Sequence, residues 1–102
     1  MIMLQTETKY GLFSYFPKDD IGQRIAKGEF WDDHYKPWLD KLTSQLVFVD
    51  VGANIGFFTV YAAMRGAWVW AFEASPEVFG VLKSNVELNN LEVRTRLENV
   101  AL

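Results

Sequence analysis

Two short stretches carry residue types that could do chemistry. In Asp50-Val51-Gly52-Ala53-Asn54-Ile55-Gly56, an acid, two glycines and an asparagine follow directly on the apolar run Leu46-Val47-Phe48-Val49. Glycine lets a backbone approach a ligand with no Cβ in the way, and the helix N-terminus that follows offers free N–H donors. Glu73 ends the next apolar run, roughly 20 residues past the glycine turn, where an acid is placed to accept hydrogen bonds from both ribose hydroxyls of a nucleoside. Strand, glycine turn, helix, strand and terminal acid together point to a nucleoside-bearing cofactor. A dinucleotide fingerprint has glycines at relative positions 1, 3 and 6, but here those positions hold Gly52, Asn54 and Phe57. A Walker loop requires Gly-Lys-Ser/Thr, and this turn has no lysine. A cofactor without phosphates fits better. S-adenosylmethionine is the obvious one, with Asp50 facing its ammonium group directly or through water.

Each residue also has a plainer reading. Asp50 could cap the turn through local backbone hydrogen bonds, and Glu73 could be a solvated strand-end acid. Asn54 tolerates left-handed backbone angles and could serve the turn alone. Phe57, Phe58 and Tyr61 read as core rather than as stacking partners, and Asp19, Asp20 and Asp32 as surface acids. Asn99 ends the third expected strand, where adenine-reading residues often sit in such folds. Nothing places the lone His34 near the turn, so no general base and no catalytic residue is assigned, and no metal site is expected.

The elements that must position these residues follow from periodicity. Leu46 to Val51 reads as a buried strand. Phe57, Val60, Tyr61 and Met64 recur at helical spacing, with Gly66 where a C′ glycine belongs. Ala67 to Glu73 reads as a second strand. Ser75-Pro76-Glu77 is a helix start, with Phe79, Leu82 and Val86 lining that helix and Asn89-Asn90 ending it. Val93 to Val100 alternates as a third strand. The β-α-β-α-β order and the right-handed crossover rule give a parallel sheet in spatial order 3-2-1. Before it, Lys9 to Phe16 reads as a strand or hairpin arm, Ile21 to Ala26 as a short helix, and Asp33 to Leu42 as another with Pro37 in its first turn.

Composition bounds the function. With 50% hydrophobic residues and 16% aromatics over 102 positions, the chain has enough apolar area for a core and is no disordered tail. Ten basic residues against thirteen acidic ones leave a net charge of −3, which argues against nucleic acid as a partner. No cysteine is present, so disulfides, thiolate zinc sites and Cys nucleophiles are excluded. No apolar run approaches the roughly 20 residues of a membrane span, and Met1 to Tyr10 is too polar for a signal peptide, so a cytoplasmic protein without membrane contact is expected.

VFVDVGANIGFFTVYAA, then VWAFEASPEVFGVLKSNVELNN, resembles the opening of an FkbM-type S-adenosylmethionine-dependent methyltransferase. Asp50 to Gly56 matches the family's glycine motif. Phe72-Glu73-Ala74-Ser75-Pro76 matches its Phe-Glu-Pro-x-Pro, with Ala74 in place of the first proline, and Leu82, Asn85, Leu88 and Asn89-Asn90 fall on its Leu-x-x-Asn and Leu-Asn-Asn pattern. Upstream, Asp32 after Trp31 is the nearest match to an acid of the family's lead-in. The resemblance implies an α/β, Rossmann-like methyltransferase fold, here cut after the third strand, because members of the family are longer. It implies S-adenosylmethionine held by Asp50, Gly52, Asn54, Gly56, Glu73, Ala74 and Asn99, and methyl transfer to an oxygen of a small-molecule or glycan acceptor in the complete enzyme. Residues 1–44 are expected as an extension packing on the sheet and 45–102 as the first half of the cofactor domain. The alternatives are a non-catalytic oligomeric remnant of the fold and a nucleotide-dependent oxidoreductase. Leu46 to Val51 would be an unpaired edge, and one sheet face stays bare unless the first 44 residues cover it, so a homodimer or higher oligomer is expected.

Overall fold

The computed structural model describes residues 2–102. A hairpin of β1 (Leu4–Thr8) and β2 (Gly11–Tyr15) comes first, then α1 (Asp20–Ala26), a 3-10 turn at Asp33–Tyr35 and the short α2 (Lys36–Leu39). There follow β3 (Val47–Val51), α3 (Phe57–Met64), β4 (Trp68–Phe72), α4 (Pro76–Leu88), a 3-10 turn at Glu92–Arg94 and β5 (Thr95–Glu98). The last three strands form a parallel sheet in the order β3-β4-β5, which is the 3-2-1 arrangement expected from sequence.

Local chemistry sets the element ends. Asp19 caps α1 by accepting from the Ile21 N–H at 3.0 Å, and Ser75 caps α4 by accepting from the Val78 N–H at 3.3 Å, with Pro76 in the first turn. Gly66, at φ +95°, lies just past the C-cap of α3. Lys9 to Phe16, read as a strand or hairpin arm, holds the second arm of a hairpin, β2, with Lys9 and Tyr10 in the turn before it. Two elements differ from the sequence reading. Asp33 to Leu42 splits into a 3-10 turn and a one-turn helix. Val93 and Arg94 belong to the 3-10 turn, so the third strand is only Thr95–Glu98. In both cases an i→i+3 bond, Tyr35 N to Asp32 O and Arg94 N to Leu91 O, captures residues that the side-chain pattern had assigned to a regular element.

The helices lie between two apolar clusters. Ala62, Ala63, Leu82 and Val86 pack with Val69 and Ala71 of β4. Phe57, Val60 and Val81 pack with Phe13 and Tyr15 of β2 and Ile25 of α1. Helix α3 is therefore covered from two directions. Thr59, Ala62 and Ala63 are buried while Met64, expected on the apolar stripe, is 51% exposed.

The hairpin sits on the helices rather than on the sheet, and two asparagines hold it there. Asn89 accepts from Leu12 N (2.9 Å) and donates to Leu12 O (2.8 Å); Asn85 does the same for Ser14, at 2.6 and 3.1 Å. A helix rises about 6 Å over four residues and a strand nearly 7 Å over two, so carboxamides one turn apart can imitate an adjoining strand. Of the first 44 residues, Tyr35, Trp38 and Leu39 reach the edge strand β3. The other sheet face stays open: Val47, Val49, Val51, Trp68 and Trp70 are exposed, with Arg94 and Arg96 4.9 and 4.7 Å from the Trp68 and Trp70 rings. Among the described residues no helix is long and apolar enough to cross a membrane.

Candidate functional site

The glycine turn leaves β3 at its C-terminal end and folds onto the end of β4. Gly52 N and Ala53 N both donate to Phe72 O at 2.9 Å. Gly52 has φ +73°, and the space a Cβ would occupy has no atom within 4 Å. Its backbone is open to an approaching ligand. Gly56 is different. At φ +96° its Cβ would lie 2.6 Å from Leu82 Cδ1, so its bareness serves the packing of the turn against α4.

Glu73 joins the two strand-end turns. Its Oε1 accepts from Asn54 N at 2.8 Å and its Oε2 from Ser75 N at 3.0 Å. Asn54 takes φ +55°, and its side chain accepts from Ile55 N at 2.9 Å. Asn99 donates through Nδ2 to Glu73 O (2.8 Å) and Ala74 O (3.1 Å), tying the chain after β5 to the same corner.

Asp50 is only 6% exposed and accepts a 2.7 Å hydrogen bond from the hydroxyl of fully buried Thr59. Burial pushes the carboxyl pKa up; the Thr59 hydrogen bond acts against that shift, and the nearby negative charge of Glu73 adds to it. A cation beside this carboxylate would offset the cost of its burial.

Two cavities share Gly52 in their walls. One, of about 100 Å3, is lined by Asp50, Gly52, Asn54 and Phe58, with Ile21 and Trp31 from the N-terminal segment. The other, of about 230 Å3, is lined by Gly52, Glu73, Ala74 and residues 100–102. Five of the seven residues singled out from sequence line this double groove. Gly56 and Asn99 do not line it; they shape its walls. Thr59, Ile21 and Trp31 were not foreseen. Thr59 is the one aliphatic hydroxyl in a helix otherwise made of apolar and aromatic residues, which is a usable signal, whereas Ile21 and Trp31 reach the site only through tertiary packing. His34 is exposed and lines neither cavity.

No family model matches the chain. It is 34% identical over 79 residues to methyltransferase sdnD of Sordaria araneosa, covering 76% of this chain and 30% of that protein. It is 38% identical over 56 residues to a tRNA (guanine(37)-N(1))-methyltransferase of Mycosarcoma maydis, covering 55% of this chain and 9% of that protein. Among solved structures, aTrm5 in complex with tRNALeu superposes with a TM-score of 0.70 at 20% identity, over 95% of this chain and 28% of that one. Pyrococcus horikoshii TYW2 in complex with MeSAdo superposes with a TM-score of 0.58 at 29% identity, over 64% of this chain and 25% of that one.

The chain has a Rossmann-like methyltransferase fold and methyltransferase relatives. It spans less than a third of the length of the curated relatives it matches. These comparisons correct one expectation from sequence. Net charge argued against nucleic acid, yet tRNA methyltransferases stand among both the relatives and the structural neighbours. The physical reason is one of scale: in relatives of which this chain covers 30% or less, the net charge of the matching stretch does not set the field of the whole surface.

Proposed function

We propose that this methyltransferase-fold chain binds S-adenosylmethionine across Gly52 and serves methyl transfer to a base in RNA. The observation that carries the reading is the pair of cavities that share an unobstructed glycine, with a buried carboxylate in one and a strand-end carboxylate in the other. The residues present fit the cofactor. Each Glu73 oxygen accepts one backbone N–H and keeps a lone pair for a ribose hydroxyl. Asp50 would face the ammonium group, where positive charge favours its ionised form. Ala74 and residues 100–102 would flank the adenine, and Asn99 would hold that corner in place.

S-adenosylmethionine supplies a methyl group already activated on a sulfonium, so the protein's share of the work is proximity and orientation. Within the methyltransferases, the motif from Asp50 to Gly56 and the pattern through Leu82, Asn85, Leu88 and Asn89 support the FkbM type, whose acceptor atom would be an oxygen. The relative named for guanine N1 supports a ring nitrogen, and we favour the nitrogen because tRNA methyltransferases stand among both the relatives and the structural neighbours.

Calorimetry with S-adenosylhomocysteine tests the donor site. Glu73→Ala should weaken binding by about 1.5–3 kcal/mol, the loss expected for hydrogen bonds to a charged group. Unchanged affinity in that variant, or tight binding of NAD by the wild type, overturns the assignment. Incubation of the protein with labelled S-adenosylmethionine and tRNA, followed by nucleoside mass spectrometry, identifies the acceptor atom.

A further inference from the structure

Helix α3 carries Thr59 fully buried within an otherwise apolar and aromatic run. A buried hydroxyl costs free energy unless it is hydrogen-bonded, and valine would fill nearly the same volume without that cost. The usual outlet for a helical threonine is a carbonyl of the preceding turn. Here the hydroxyl crosses to β3 instead, where it donates to Asp50 Oδ2 at 2.7 Å. Rigid elements hold both partners. Asp50 sits in β3 opposite Ala71 of β4, and the neighbours of Thr59 on α3, Val60, Ala62 and Ala63, are packed into the two apolar clusters.

The hydroxyl takes Oδ2, which leaves Oδ1 for the cavity that Asp50 lines with Gly52 and Asn54. Glu73, at the end of β4, opposes ionisation of Asp50 by its negative charge, as burial does; the Thr59 hydrogen bond works the other way. An ammonium group pairs well with a carboxylate only when that carboxylate is ionised and correctly turned, and the Thr59 bond favours both. Thr59 itself lines neither cavity of the groove. We propose that Thr59 is a positioning residue for the methyl donor, its hydroxyl turning Asp50 so that Oδ1 meets the donor's ammonium group. This role rests on the donor-site reading and adds to it a residue behind the groove wall.

Calorimetry on the full chain reads the role with two probes. S-adenosylhomocysteine carries the ammonium group; methylthioadenosine keeps the nucleoside and the thioether but has no amino acid end. Thr59→Val should weaken S-adenosylhomocysteine binding by roughly tenfold, near the lower end of what a hydrogen bond to a charged group contributes. The same variant should bind methylthioadenosine within about twofold of wild type, since that probe makes no use of Asp50. Thr59→Ser keeps the hydroxyl and should bind both probes as the wild type does. In an Asp50→Ala background, adding Thr59→Val should cost S-adenosylhomocysteine no further affinity, because Thr59 acts only through the carboxylate. Thermal melting checks each variant, and Thr59→Ala, smaller than the native side chain, replaces Thr59→Val if that variant does not fold. Equal losses for both probes, no loss for either, a further loss in the Asp50→Ala background, or failure of Thr59→Ser to restore binding overturns the proposal. So does a chain that cannot fold without the hydroxyl, which would make Thr59 a folding requirement. Wild-type protein that binds neither probe shows a different failure, that of the donor-site reading, and this role falls with it.

Discussion

The two faces of the three-stranded sheet are built from similar residue types and have opposite fates. On one face Val69 and Ala71 are buried beneath α3 and α4, whose Ala62, Ala63, Leu82 and Val86 complete a close-packed layer. On the other, Val47, Val49, Val51, Trp68 and Trp70 face outward. Small residues on the covered face let helix backbones approach, while large side chains on the open face stack with Arg94 and Arg96. Apolarity alone therefore does not tell which face is filled. What decides is where the crossover helices go, and the right-handed rule sends both to the same side.

The first way to break this contrast is to empty the covered side. Leu82 is fully buried and fills the space beside Gly56, so Leu82→Ala should cost about 2–5 kcal/mol of stability in urea denaturation. A smaller loss would mean that the helix layer is loosely packed.

Asn85 sharpens the comparison, because it buries polar groups within that layer. Its Nδ2 donates to Ile55 O at 2.7 Å as well as to Ser14 O, so Asn85→Ala strands several buried groups and should cost about 1–3 kcal/mol. Asn89→Ala touches the more exposed end of the same hairpin contact and should cost less by the same measurement.

Asp50 provides a pH test of the covered side. Its native pKa is raised, so the folded state holds the proton more tightly than the unfolded chain. Its contribution to stability is therefore present below the ordinary aspartate value and lost as pH rises above it. Denaturation measured across that range should show stability attributable to Asp50 falling with increasing pH. Asp50→Asn should remove that part of the slope, and a slope unchanged by the substitution would contradict the burial argument.

The smallest effect is expected on the open face. Val49→Thr keeps the β-branched shape at an exposed site and should change stability by no more than about 0.5 kcal/mol. A large loss would show that the face is covered in solution.

Much of the site was legible because it is local. Asp50, Gly52, Asn54 and Glu73 sit at strand ends whose apolar runs and turn residues are visible in the chain, and Gly66 and Ser75 punctuate the helices through backbone rules that need no partner. Gly56 and Asn99 lie in the region that spacing indicates, and each has a structural role there that spacing does not show. Gly56 leaves room for Leu82 and Asn99 binds carbonyls, and neither fact is written in spacing. Trp31 and Ile21 precede the glycine turn by some twenty residues or more, and a pattern read within one element carries no sign of them. Asn85 and Asn89 are visible in the sequence near the end of an expected helix, but their role as a substitute strand depends on where β2 lies.

The sequence by itself determined the order of strands and helices, the parallel sheet and the place of the glycine turn, because periodicity, capping and chirality act over neighbouring residues. Only the tertiary structure decided that the N-terminal hairpin would lie on the helices, that Thr59 would meet Asp50, and that Tyr35 and Trp38 would stand beside β3. Those contacts join residues far apart in the chain. They are chosen by which surfaces can be buried together at close packing, and no local pattern contains that information.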